Sequence, residues 1–510
     1  MDRIRSTYGK LLSRIKDLMV LQSIDALVAW DMETMMPPRA TSLRSEQLGL
    51  LSSIHHRMAT DKQIGKLVQK LTTSTNNNEL VELEKRNVYL IKKSYEEQTK
   101  LPEKLVEEIA RQQAITVNTW KKAKAEKNFK LFAPQLEKLV ALKRKEADIL
   151  MQVKKTTTPY DALIDLYEPK MATQQISPIF KTLQRELKEL LKQIELSHNQ
   201  PDSEILRITV PIEAQRKIAI ALTELLGYDI KSSEAGGRLD ETEHPFTNGY
   251  YDDVRITTHY YTNNFASSIF SVLHETGHAL YEQNLKKEWK YQPVGTPCSY
   301  GIHESQSRLV ENIVGRSEEF WIYFLPKLRQ IAGSCLDDLS LKPFVRAINK
   351  VEPTKIRTEA DEVTYNLHII IRFQIEQDLF DNRIEVKDLP EVWNRKYKEY
   401  LGLEIENDSE GVMQDTHWAS GLFGYFPSYA LGNIYSGQLI EAINKNVPNW
   451  RDQLSTGKLG ELKKWLDTNV YSEGDSMDPA DLMKKITGTS LEVEPYLQYL
   501  REKYSRIYEF

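Results

Sequence analysis

The chain has 510 residues and a formal net charge of −5, with 68 Lys and Arg against 73 Asp and Glu, a balance that offers no electrostatic footprint for nucleic acid. No run approaches the ~18 consecutive apolar residues of a membrane span, and the opening Met-Asp-Arg-Ile-Arg-Ser lacks the apolar stretch of a secretion signal. Two cysteines, Cys298 and Cys335, are too few to staple a scaffold of this length, so reduced thiols in a cytoplasm are expected.

In chain order, Tyr8, Leu11, Leu12, Ile15 and Met19 recur at the helical period and predict an amphipathic helix. Polar breaks at Ser74–Asn78, His198–Ser203 and Ser472–Asp478 are short enough to be helix connections. No Gly/Ser/Pro-rich linker divides the chain, although its length would allow about three average domains. The expectation is therefore one large helical body over residues 1–510. Within it, a lid-like N-terminal portion would run to about residue 200 and a metal and substrate groove would occupy about 236–430. Residues 253–261, rich in Val, Ile, Thr and Tyr, read as a strand, with 237–250 as an antiparallel partner. Such a sheet offers backbone groups to an extended peptide.

Next comes a helix, marked by Phe265, Ala266, Ile269, Phe270, Leu273 and Leu280, with N-cap oxygens available at Thr262, Asn263 and Asn264. It contains His274-Glu275-Thr276-Gly277-His278. Two histidines four apart leave one face of a helix and can grip one metal ion. Glu275 points about 60° away from His278 around the axis. That places a carboxylate beside the metal as a general base rather than as a ligand. A chain of this composition would show such a pattern by chance only about 0.03 times. The competing reading is a core helix whose histidines merely hydrogen-bond. Gly277 is poor helix material and suggests close approach of another segment.

A catalytic zinc site takes three protein ligands. Glu282 and Glu288 are too near in sequence to fold back over the metal, and Glu318 and Glu319 read as a solvated helix face. Glu304 follows the breaks at Ser299 and Gly301, where a second helix can present its first turn, and it is the expected third ligand. Glu311 fits a supporting place, holding a ligand histidine by its other ring nitrogen. Further on, Val363, Leu367, Ile371 and Ile375 mark another helical stripe.

Six segments appear in order: His244-Pro245-Phe246, Asp253-Val-Arg255-Ile-Thr257, His274-Glu275-Thr-Gly-His278, His303-Glu304-Ser-Gln306, Ile356-Arg357-Thr-Glu-Ala-Asp361 and Gly411-Val-Met-Gln414-Asp415-Thr-His417-Trp418. Together they resemble the signature segments of the carboxypeptidase Taq family of metallocarboxypeptidases. The resemblance implies a mostly α fold with a deep active-site groove, of the neurolysin-like kind; the residue patterns above add the large helical body and the small antiparallel β-sheet beside the metal helix. It also implies removal of single residues from peptide C-termini with broad side-chain tolerance, and a homodimer. The alternative activity is a metal-dependent oligopeptide endopeptidase of neurolysin-like type.

A carboxypeptidase needs a fixed cation for the free carboxylate, and Arg serves best through its two-pronged donors. Arg357 is the leading choice, at a helix start with Asp361 one turn on to hold it. Arg255 is the second. The competing reading of each is a structural ion pair, and Asp253 reads as a neighbour of Arg255. Donors to the developing oxyanion are sought in His417 and Tyr425, with His244 behind them. Each competes with plain packing, since the chain has 25 tyrosines. The expected ligand set is His274, His278 and Glu304 around one divalent ion, Zn²⁺ or alternatively Co²⁺. Glu275 is the base, peptides are the substrates, and no nucleic-acid or membrane partner is expected.

Overall fold

The structure is a computed structural model that describes residues 2–510. It is mostly helical, with one three-stranded sheet among the described residues. The chain forms two compact units, each built from three stretches. The first takes the segment up to Gln98 with Asp202–Ile348 and Leu439–Ser490; the second takes Thr99–Pro201, Asn349–Gln438 and Leu491–Phe510. Residues before 200 are thus shared between both units rather than forming one N-terminal portion. The contacts explain why: Arg86 donates to Asp475 and Asp478, and Asn87 accepts from the Val294 N–H. These bonds stitch the first stretch to both later stretches of its own unit.

In the first unit, helix α1 (Asp2–Thr34) buries Tyr8, Leu11, Ile15 and Leu18 in a cluster with Ala59, Ile64, Val68, Leu71, Leu80, Val88 and Ile91. Leu12 and Met19 pack half-buried at its margin. Strands β1 (Gly237–Glu241), β2 (Thr247–Tyr250) and β3 (Asp253–Thr258) lie in the order β1-β3-β2. β2 pairs antiparallel with β3, but β1 runs parallel to it, so the expected antiparallel sheet is a mixed one. The chain reverses twice, through the bend at Glu243–His244 and again through the turn at Tyr251–Asp252, which restores the direction of β1 in β3. Pro245, lacking an N–H, suits the break between strands. Gly249 has φ of 130°, and a Cβ there would collide with the Asp253 carbonyl, so this hairpin requires glycine.

The sheet's two faces have different neighbours. On one, Thr247, the register partner of buried Ile256, reaches Glu275 of helix α2 (Phe265–Asn284). Because side chains alternate along a strand, the next pair, Asn248 and Arg255, takes the other face. There Asn248 donates to the Ala26 carbonyl and Arg255 stacks on Trp30, both in α1.

The second unit centres on a helix buried on nearly every side. Leu367, Ile371 and Ile375 are fully buried, but so are Asn366, His368, Arg372 and Glu376. Each of these polar side chains has a partner: Asn433 and Tyr496 for Asn366, Tyr397 for His368, Asp415 for Arg372, and Tyr160, Trp418 and Gly424 for Glu376.

Candidate active site

Helix α2 starts at Asn264, whose side chain accepts from the Ser267 N–H. It places His274 and His278 one turn apart, with ring centroids 5.0 Å from each other. Helix α3 (Tyr300–Arg308) starts at Ser299, whose hydroxyl accepts from the Ile302 N–H. The two helices touch at Gly277: a Cβ there would lie 2.6 Å from the Gln306 carbonyl oxygen and from Ser307 Cα. Only a missing side chain permits that approach, which carries Glu304, one turn into α3 rather than in its first turn, across to the histidines.

Glu304 Oε2 lies 3.3 Å from His278 Nε2 and 3.7 Å from His274 Nε2, and the three donor atoms fall within 4.8 Å of one another. Ligands at about 2.0–2.1 Å around a tetrahedral Zn²⁺ are separated by about 3.3 Å, so the donor set fits such an ion with small adjustment. The supporting groups fit as well. His274 Nδ1 is 2.8 Å from Glu311 Oε2, and the His303 ring stacks on His278 at 4.4 Å while its Nε2 meets Glu282 at 3.0 Å. Arg308 donates through Nε to Glu304 at 2.7 Å and through a terminal nitrogen to Glu311 at 3.3 Å.

Two of the three donors, His278 and Glu304, are shifted towards the form that binds metal; at His274 burial disfavours the imidazolium, but Glu304 and Glu311 outweigh it and raise its proton affinity, so a metal would displace that proton. Burial pushes His278 down to about 3, leaving a neutral imidazole. Burial opposes ionisation of Glu304, but Arg308 and the two histidines outweigh it and hold this carboxyl well below its usual range. Glu311 follows the same pattern, held down to about 2. Glu275 moves the other way: burial raises its proton affinity, and His274 and the Thr247 hydroxyl offset part of that rise. A carboxyl with raised affinity is better able to accept a proton and hold it.

Of the remaining expected residues, Arg357, His417 and Tyr425 gather in the second unit. Arg357 is buried on a short 3₁₀ turn, Arg357–Glu359, and donates through Nε and a terminal nitrogen to Asp415 at 3.0 and 2.8 Å. Arg372 donates to the other oxygen of Asp415 at 2.7 Å. Asp361 does not hold Arg357; it accepts instead from the backbone N–H groups of Glu352, Val363 and Thr364. Asp415 takes the role because its segment folds over the arginine, with Gln414 accepting from the Arg357 backbone N–H. His417 Nε2 lies 3.1 Å from the Tyr429 hydroxyl, the Tyr425 ring packs 5.6 Å from His417, and the Arg357 guanidinium sits over the Tyr429 ring.

The metal cluster, Glu275, Arg255 and His244 all belong to the first unit. Arg255 faces away from α2, forked onto Asp253 at 2.7 and 3.0 Å, and His244 is exposed on the bend between β1 and β2. Arg308, Arg372 and Thr247 join these clusters without being among the residues expected from the sequence. Only the four-residue spacing of Glu304 and Arg308 could have signalled the first of these.

The carboxypeptidase Taq (M32) metallopeptidase family matches residues 10–504. Thermostable carboxypeptidase 1 of Thermus thermophilus is 39% identical over 510 residues, covering 99% of each chain. Carboxypeptidase 1 of Bacillus subtilis is 39% identical over 484 residues, 95% of each. The crystal structure of the M32 carboxypeptidase from Deinococcus radiodurans superposes with a TM-score of 0.94 at 32% identity, covering 99% of this chain and 100% of that one. A family match over nearly the whole length, carrying the expected donor set on a shared fold, makes this chain a metallocarboxypeptidase of the carboxypeptidase Taq (M32) family, whose members work with a divalent metal.

Proposed function

We propose that the enzyme releases single residues from the C-termini of peptides with broad side-chain tolerance, using one Zn²⁺ held by His274, His278 and Glu304. The observation that carries this reading is the convergence of those three donors beside the buried Glu275 carboxylate. Two imidazoles and one carboxylate suit Zn²⁺, and Co²⁺ accepts the same donors. When bound, the ion polarises the scissile carbonyl and makes water acidic enough to attack near neutral pH.

Glu275 takes the proton of the attacking water on the oxygen that Thr247 leaves free, then returns it to the departing amine. Arg357 holds the terminal carboxylate. Two guanidiniums share the single Asp415 carboxylate, so the cluster retains surplus positive charge, and the forked bond to Asp415 fixes the Arg357 plane. His417 and Tyr425, packed in the same cluster, serve as donors to the carbonyl oxygen as charge develops on it. Arg255, paired to Asp253 on the far face of the sheet, and the exposed His244 take no part in this reading. A cytoplasmic homodimer completes it; two cysteines in 510 residues suit a reducing compartment, and sedimentation equilibrium checks the dimer.

The test is a time course on one unmodified peptide read by mass. The expected result is a ladder of single C-terminal losses, abolished by a chelator and resisted by the C-terminal amide. Glu275→Gln should retain its metal and lose at least ~10²-fold in rate. Internal cleavage, or near-wild-type rate in that variant, would overturn the reading.

A further inference from the structure

Thr247 follows directly on His244-Pro245-Phe246 and sits in β2 at the edge of the sheet. Its hydroxyl donates to Glu275 Oε2 at 2.6 Å and lies 3.0 Å from the Glu275 backbone carbonyl oxygen. A hydroxyl has one proton to give, and the carboxylate is the nearer acceptor. Among the described residues, Thr247 is the one side chain that donates to this carboxylate.

The strand fixes where the hydroxyl is delivered. The Phe246 N–H donates to Thr257 Oγ1 at 2.8 Å, the Thr257 N–H donates to the Phe246 carbonyl at 3.0 Å, and Thr247 stands in register with the fully buried Ile256. A β-branched side chain on a pinned backbone has little freedom at χ1. Glu275, by contrast, ends in a carboxylate three bonds from its helix, free to swing unless something holds it. A base must be oriented before it can act, because misplacement by an ångström costs rate without affecting fold.

We propose that Thr247 is a positioning residue for the general base: it fixes Glu275 Oε2 and so presents Oε1 to the attacking water. The inference rests on the reading of Glu275 as base, and the experiment separates failure of one from failure of the other. Thr247→Val keeps the shape and removes the hydroxyl, whereas Thr247→Ser keeps the hydroxyl. The valine variant is expected to lose about tenfold in kcat, with KM, metal per chain and melting temperature unchanged. The serine variant should stay within about threefold of wild type. Placed on Glu275→Gln, the valine change should cost no further rate, since there is no base left to position.

Wild-type kcat in Thr247→Val beside an impaired Glu275→Gln overturns this inference alone. Equal losses in the valine and serine variants, or a full additional loss on Glu275→Gln, also overturn it. A fully active Glu275→Gln sinks the base reading and this one with it. Should Thr247→Val fail to fold, Thr247→Ala against Thr247→Ser carries the same contrast.

Discussion

A histidine ligates well only when its second ring nitrogen is held, and Glu311 does this for His274 at 2.8 Å. Two arginines in turn keep Glu311 ionised: Arg308 at 3.3 Å and Arg316 at 3.5 Å. Glu311→Gln preserves a carbonyl oxygen for the imidazole N–H but removes the charge that polarises it. Metal should then bind about 10–100-fold more weakly, read by titration against a competing chelator, while Glu318→Gln on the exposed helix start leaves affinity unchanged. Equal affinity in both variants would remove Glu311 from the site. At this scale the sequence was legible where chemistry restricts spacing. Two histidines one turn apart with a carboxylate between them have few other uses, and the place of Glu311 followed from needing a second-nitrogen partner. Asp415 as the partner of Arg357 was not legible, since 58 positions separate them and Asp361 stood nearer in sequence.

Helices meet where side chains allow, and the α2–α3 crossing depends on Gly277. Gly277→Ala forces its Cβ onto two backbone atoms of α3, so the helix must shift rather than a flexible side chain. The expected cost is about 1–3 kcal/mol of stability, together with weaker metal binding, because the same shift withdraws Glu304. Gly49→Ala, with nothing within 4 Å, should instead stabilise by up to about 1 kcal/mol; denaturant titration of the two variants reads the contrast.

The buried helix Tyr365–Phe380 shows what periodicity conceals. Val363, Leu367, Ile371 and Ile375 announced one apolar face, but His368, Arg372 and Glu376, also four apart, occupy another that is equally buried. A polar stripe reads as solvated unless its partners, distant in sequence, are known. Burial lifts Glu376 from 4.5 to about 7, against the hydrogen bonds from Gly424, Trp418 and Tyr160. A carboxyl whose folded pKa lies above its unfolded value contributes fully below pH 4.5, and that contribution is lost as pH rises to about 7. The span is about 3 kcal/mol. Glu376→Gln strands one of the three donors at every pH but removes the titration. Its stability deficit relative to wild type should therefore shrink between pH 5 and pH 8; a constant deficit would show that Glu376 is ionised throughout.

The whole molecule was half legible for a physical reason. Composition and helical stripes give the class, but division into units depends on which distant stretches pack together, and each unit here draws on three of them. The same division separates two levers on stability. His274, His278 and Glu304 lie in stretches of the first unit, whereas Glu376 is buried in the second. An ion that binds the folded state alone stabilises by RT ln(1 + [L]/Kd), about 2.7 kcal/mol at a free concentration 100 times Kd. For a unit of this size that corresponds to a rise in Tm of about 4 °C. Calorimetry of chelator-stripped protein, before and after Zn²⁺ is restored, should show that rise in the wild type. It should vanish in His278→Ala, which lacks one of the three donors, and persist in Glu376→Gln, whose change lies in the other unit. If the rise survived in His278→Ala, the stabilising ion would be bound somewhere other than between α2 and α3.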